Sequence, residues 1–82
     1  MFKAEIKITL KKTVADPQGL TIKHALESLS FSGLEEVRMG KLINIKVQEQ
    51  DKEKAKERVK QMCEKLLANP IIEDYSFEVV PL

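Results

Sequence analysis

Two side chains in this sequence carry the chemistry most often used for nucleophilic attack or soft-metal binding at neutral pH, one histidine (His24) and one cysteine (Cys63). A zinc centre takes three or four His, Cys or carboxylate ligands. A Cys–His or Ser–His pair needs a base beside its nucleophile and a third group to orient it. One His and one Cys supply almost no material for either. Cys63 falls on the apolar stripe of a predicted helix, which predicts a buried structural thiol. His24 lies between Lys23 and Ala25 near the start of another predicted helix and is expected at the surface. No catalytic, cofactor-binding or metal-ligating residue is expected in this chain.

Anion chemistry has more to draw on. Lys11 and Lys12 precede Asp16-Pro17-Gln18-Gly19 at a helix start, where free N–H groups favour negative charge. An aspartate at the cap position competes with an incoming anion there. Asn44 with a strand amide could be imagined as the centre of a small acyl-phosphate hydrolase, but the loop offers no Arg for bidentate phosphate grip. Nucleic acid is disfavoured by a net charge of +1. It is disfavoured again by the predicted open sheet face. Lys3, Glu5, Lys7 and Thr9 on one strand and Leu42, Asn44, Lys46 and Gln48 on another include no aromatic for base stacking.

The elements that position these residues are set by periodicity. Phe2, Ala4, Ile6, Ile8 and Leu10 alternate with Lys3, Glu5, Lys7 and Thr9, the period of a strand with one buried face. Asp16 caps a helix with Pro17 at its first position. Ile22, Ala25, Leu26 and Leu29 form its stripe, and Ser32-Gly33 stops it. Val37 and Met39 suggest a strand over 35–40, and Ile43, Ile45 and Val47 another over 41–48, with Gly40-Lys41 as a tight turn. Asp51 caps a second helix running to about Asn69, with Ala55, Val59, Met62, Cys63 and Leu66 as its stripe, ended by Asn69-Pro70. Ile71, Tyr75, Phe77 and Val79 mark a last strand.

This order predicts an α+β fold of ferredoxin-like βαββαβ type. Its four-stranded antiparallel sheet carries both helices on one face, with the first and third strands central and the second and fourth at the edges. The 82 residues, 43% apolar, with 14 Lys and Arg against 13 Asp and Glu, suffice for a single domain over 1–82. So small a core leaves association with a copy or a partner as a reasonable expectation. Val80 and Leu82 on a terminal edge strand point the same way, and Pro81 limits how far strand pairing could run. A single Cys allows no intrachain disulfide. The alternating first residues show no signal sequence, and no apolar run reaches the length of a membrane span. A cytoplasmic protein is expected.

Several segments together resemble the PurS family, the small subunit of phosphoribosylformylglycinamidine synthase. They are Leu10-Lys11-Lys12 with Asp16-Pro17-Gln18-Gly19, then Val37-Arg38-Met39-Gly40-Lys41, then Met62 through Tyr75 with its Leu-Leu-Ala-Asn-Pro-Ile-Ile-Glu-Asp-Tyr run. Each is weak alone; three in order over nearly the whole chain are specific. Thr13 and Ser32 depart mildly from the pattern. The resemblance implies a non-catalytic subunit, itself a homo-oligomer (dimer or tetramer), bridging a large synthetase subunit and a glutaminase subunit and assisting ammonia transfer between them. It implies that ATP, Mg and glutamine are used by those partners, with no cofactor in this chain, no nucleic acid and no membrane.

Partner contacts are expected where the matched motifs fall on loops and turns: Asp16, Pro17, Gln18 and Gly19, then Arg38, Gly40 and Lys41, then Asn69 and Pro70. Pro, Gly and Asn often serve turns alone, so Arg38 and Lys41 are the stronger candidates, as exposed cations with no folding duty. The alternative function is a stand-alone dimeric amino-acid sensor of the same topology.

Overall fold

The computed structural model describes residues 1–82. Its elements are β1 (Phe2–Leu10), α1 (Pro17–Ser28), β2 (Gly40–Val47), α2 (Lys52–Met62) continued by a π turn (Cys63–Leu67), and β3 (Glu73–Pro81). β1 is the centre of a three-stranded sheet of order β2-β1-β3, antiparallel on both sides. The alternation of β1 sets its register. Ala4 lies between Ile45 and Val79, and Ile6 between Ile43 and Phe77. Ala4, Ile6 and Ile8 are essentially inaccessible and face Ala55, Val59 and Cys63 of the second helix, which are equally buried. The small residues Ala4 and Ala55 allow the close approach of helix and sheet that closes this core.

Two parts of the predicted architecture are corrected. Residues 35–39 form no strand, and Gly40-Lys41 is not a hairpin turn but the start of β2. The sheet therefore has three strands, and the predicted third strand lies at an edge. The physical cause lies in residues 37–39, whose polar groups are committed elsewhere. The Met39 N–H donates to Asp16 Oδ2 at 2.6 Å, and the Arg38 guanidinium donates to two carbonyls of the 11–14 loop. The Val37 carbonyl, for its part, is pressed against Gly19.

The second correction concerns α1. Only α2 covers the sheet, lying over β3 and β1. α1 projects from the end of the sheet, and only Gly19 in it is buried. Its helix also stops earlier than predicted, at Ser28, with Ser30 turning the chain at a positive φ of 74°. The molecule is consequently long, 50 × 27 × 15 Å with a radius of gyration of 16.3 Å, where a compact 82-residue domain has about 12 Å.

The π turn explains a smaller shift. Ala68 N–H donates to Cys63 O, five residues back, at 3.0 Å, which widens the turn and rotates the residues beyond it. Leu66, predicted on the buried stripe, is 82% exposed, while Ala68 turns inward to 6%. Ile71, predicted as a core residue of the last strand, precedes β3 and is 81% exposed.

Candidate partner-contact site

The three motif segments converge at one end of the sheet. β1 leaves the sheet there at Leu10, β2 enters it at Gly40, and β3 begins at Glu73, so the topology alone brings residues 11–19, 37–41 and 69–74 together. Asp16 is the local organiser. It caps α1 by accepting from the Gly19 N–H through Oδ1 at 3.0 Å, and it holds the returning chain through the Met39 N–H on Oδ2. Those two backbone donors, Gly19 first, hold its carboxyl below the usual carboxylate range; burial opposes them and the nearby Arg38 assists. Gly19 is required because a Cβ there would collide with the Val37 carbonyl oxygen. Arg38 Nη2 donates to Lys11 O and Val14 O, both at 2.9 Å. Together these bonds form a neck that ties the two legs of the α1 excursion at its base.

A cavity of about 220 Å³ lies against this neck, lined by Asp16, Gln18, Met39, Gly40, Lys41 and Glu73 over Ile8 and Leu10. Glu73 connects it to the end of the second helix. One of its oxygens accepts from the Asn69 N–H at 2.7 Å, and the other pairs with Lys41 Nζ at 3.6 Å. Asn69 Oδ1 accepts in turn from the Ile71 N–H at 3.0 Å. Lys11 pairs with Asp74 at 2.6 Å across the same corner. Anionic and cationic groups alternate here, and the cavity is small and open. The arrangement presents a polar corner of alternating charge.

All nine expected contact residues lie at this end of the molecule, in differing situations. Pro17, Gln18, Gly40, Lys41, Asn69 and Pro70 are exposed. Asp16 and Gly19 are buried and serve the neck. The expectation that Arg38 has no folding duty is corrected, since its guanidinium supplies the partners of two loop carbonyls. Lys41 keeps the predicted character, with its side chain 66% exposed. Sequence reasoning missed Glu73 as a site residue. Its signal was present as the acidic residue just after the Asn69-Pro70 turn, but its link to Lys41 exists only in three dimensions. Cys63 is fully buried, and burial, followed by the Glu64 charge, pushes its thiol up from the ordinary value, as suits a structural thiol. His24 is exposed on α1.

The neck makes a testable pH dependence. Because the folded carboxyl of Asp16 titrates below its unfolded value, its stabilisation is complete above the ordinary carboxylate range. It is lost as the pH falls through that range toward the depressed value. Protection of the Gly19 and Met39 amides in hydrogen exchange should hold above the ordinary carboxylate range and weaken progressively as the pH falls through it toward the depressed value. In Asp16→Asn that acid step should be absent; an unchanged step would refute the assignment to Asp16.

Comparison with known proteins decides the family. The PurS family model, described as phosphoribosylformylglycinamidine (FGAM) synthase, matches residues 3–81. The chain belongs to the PurS family. The PurS subunit of Methanocaldococcus jannaschii is 48% identical over 79 residues, 96% of this chain and 95% of that protein. The Bacillus subtilis PurS subunit is 43% identical over 79 residues, 96% and 93% of the two chains. In three dimensions this PurS chain superposes on the M. jannaschii PurS crystal structure with a TM-score of 0.89, over 100% and 99% of the two chains. It also matches a chain of the Thermotoga maritima PurLQS structure at a TM-score of 0.88 and 38% identity, covering 96% of each. The PurS motifs quoted from the sequence are the segments that build the neck and the corner beside it.

Proposed function

We propose that this PurS chain is the non-catalytic small subunit of phosphoribosylformylglycinamidine synthase in purine biosynthesis. In this reading it bridges the glutaminase and synthetase subunits and supports ammonia transfer between them. The amidation converts formylglycinamide ribonucleotide to formylglycinamidine ribonucleotide, and ATP, Mg and glutamine are handled by the partner subunits. This chain self-associates as a dimer or tetramer. The observation that carries the reading is the likeness, over 96% of both chains, to a member of the T. maritima PurLQS assembly. The exposed residues of the docking corner, Lys41, Gln18 and Pro70 foremost, are proposed to meet a partner subunit.

Reconstitution tests it. With synthetase and glutaminase subunits present, glutamine-dependent amidation should fall about tenfold or more when this chain is omitted, equivalent to about 1.4 kcal/mol or more of lost transition-state stabilisation. Amidation driven by added ammonium should persist, because the synthetase chemistry is intact. An unchanged glutamine-dependent rate on omission would reject the proposal.

A further inference from the structure

We infer that the cavity between the π turn and the start of β3 is a socket for one arginine side chain presented by a partner subunit. This rests on the proposed role in a larger assembly, and the experiment below lets the two readings fail separately.

The cavity owes its existence to the π turn. The wide turn at Cys63–Leu67 leaves Leu66 pointing outward and brings Ala68, a side chain of a single carbon, to face inward. So small a residue cannot fill the space beside Tyr75, and about 540 Å³ opens between the turn and β3. Turns of this kind are frequent at functional sites. Ala68, Pro70 and Tyr75 give the cavity apolar surface over the buried Cys63.

Its charge is one-sided. Three carboxylates, Glu64, Glu73 and Asp74, line it against one cation, Lys11. Lys11 is paired with Asp74, and Glu73 takes Lys41 from β2. Glu64 is left with no cationic partner. Its one bond comes from the Tyr75 hydroxyl, which donates to Oε1 at 3.3 Å. Burial first, and then the Glu64 charge, pushes that hydroxyl up from its ordinary value, so it stays protonated at neutral pH and keeps donating. The carboxylate is thereby held in one orientation beside a half-buried aromatic ring, with Oε2 free.

A fixed carboxylate next to a tyrosine, with apolar walls for a hydrocarbon stem, is the complement of a guanidinium. The planar group stacks on the ring while its fork donates to the carboxylate. A lysine ammonium offers neither the plane nor the fork. The mouth is open, with Glu64, Pro70 and Asp74 exposed around it, so a small free cation is held only weakly. A side chain carried on a folded surface arrives with much of its freedom already lost, and binds better for that reason. Location favours the same occupant. Glu73 lines both this cavity and the one at the neck, so the socket is continuous with the polar corner proposed to meet a partner subunit.

Two measurements on the full chain test the socket. In the first, N-acetylarginine methylamide is titrated into the isotope-labelled native chain. Saturable shifts of the Glu64, Ala68 and Tyr75 amides are expected at millimolar probe. The citrulline analogue, of the same shape without the charge, should bind at least about tenfold more weakly. In the second, Glu64→Gln is assembled with the synthetase and glutaminase subunits, and its affinity should fall about tenfold or more. Glu64 is exposed and the new amide oxygen can still accept from Tyr75, so this variant should keep the native far-UV spectrum. Glu57→Gln makes the same charge change two turns earlier on α2, outside the cavity, and should stay within about twofold of native. Equal responses to the arginine, citrulline and lysine analogues would overturn the socket. So would a Glu64→Gln chain that assembles as tightly as native, or equal losses for the two variants. A native chain that assembles but binds no arginine probe overturns the socket alone. One that binds the probe but joins no assembly overturns the proposed subunit role, and with it the partner's arginine as occupant.

Discussion

Replacing Ile6 by Ala should cost this protein about 2–5 kcal/mol, the largest stability loss expected for any single truncation in the chain. Ile6 is the middle residue of the central strand, fully inaccessible, with Ile43 and Phe77 as its cross-strand neighbours. The core beneath it holds only nine buried residues, several of them alanines and valines that cannot swing to fill a void. The gap left by three missing carbons therefore persists as a cavity, at the upper part of the range for such truncations. A chain of 82 residues has a total stability of about 4–12 kcal/mol, so Ile6→Ala removes a large share of it. With a urea dependence of about 1 kcal/mol/M for so small a domain, the midpoint should drop by about 2 M or more. Ile71→Ala is the matched control. Ile71 is just as apolar but lies outside the sheet at 81% exposure, and its truncation should change stability by no more than about 0.5 kcal/mol. Equal losses for the two would mean that the core is not where the sheet places it.

The second large effect separates two cations that look alike in the sequence. Arg38→Ala should destabilise by about 1–3 kcal/mol, because it strips the donors from the Lys11 and Val14 carbonyls in a partly buried neck. Arg38→Lys should recover little of this, since a single ammonium cannot reproduce the planar fork that spans both oxygens. Lys41→Ala removes one ion pair to Glu73 at 3.6 Å, exposed at its lysine end and worth about 0–1 kcal/mol, while Glu73 keeps its bond to the Asn69 N–H, so its melting temperature should stay close to the native value. In the reconstituted enzyme the order should reverse at a temperature where both variants are folded. Lys41→Ala should weaken assembly and raise the amount of this chain needed for full glutamine-dependent activity. Arg38→Ala should act mainly through the fraction that remains folded. A Lys41→Ala chain that supports activity at native stoichiometry would remove Lys41 from the contact surface.

The contrast between these residues marks the reach of a sequence reading. Arg38 and Lys41 sit on the same short motif, and local pattern treats both as free. Nothing nearby in the chain marks Arg38 as structural, because its acceptors lie 27 and 24 residues upstream. Glu73 escapes notice for the same reason, its two partners being a backbone N–H four residues before it and a lysine on another strand.

The sequence by itself determined the elements whose signals are local. The alternation of residues 2–10 defined the central strand and its inward face. Asp16-Pro17 and Asp51 placed both helix starts, since a cap needs only its own next few residues. The scarcity of His and Cys set the expectation of a chain without a catalytic centre, and the ordered motifs carried the family. Tertiary structure alone decided where α1 goes. An apolar stripe states that a helix face will be covered without stating by what, and the hydrogen bonds of Asp16 and Arg38 direct that face away from its own sheet. The same bonds displaced the fourth strand, because the Met39 N–H is taken up by Asp16 and the Arg38 side chain is tied to the 11–14 loop instead of lying beside β2. What was local in the chain was legible; what depended on long-range competition for a few polar groups was settled only in the fold.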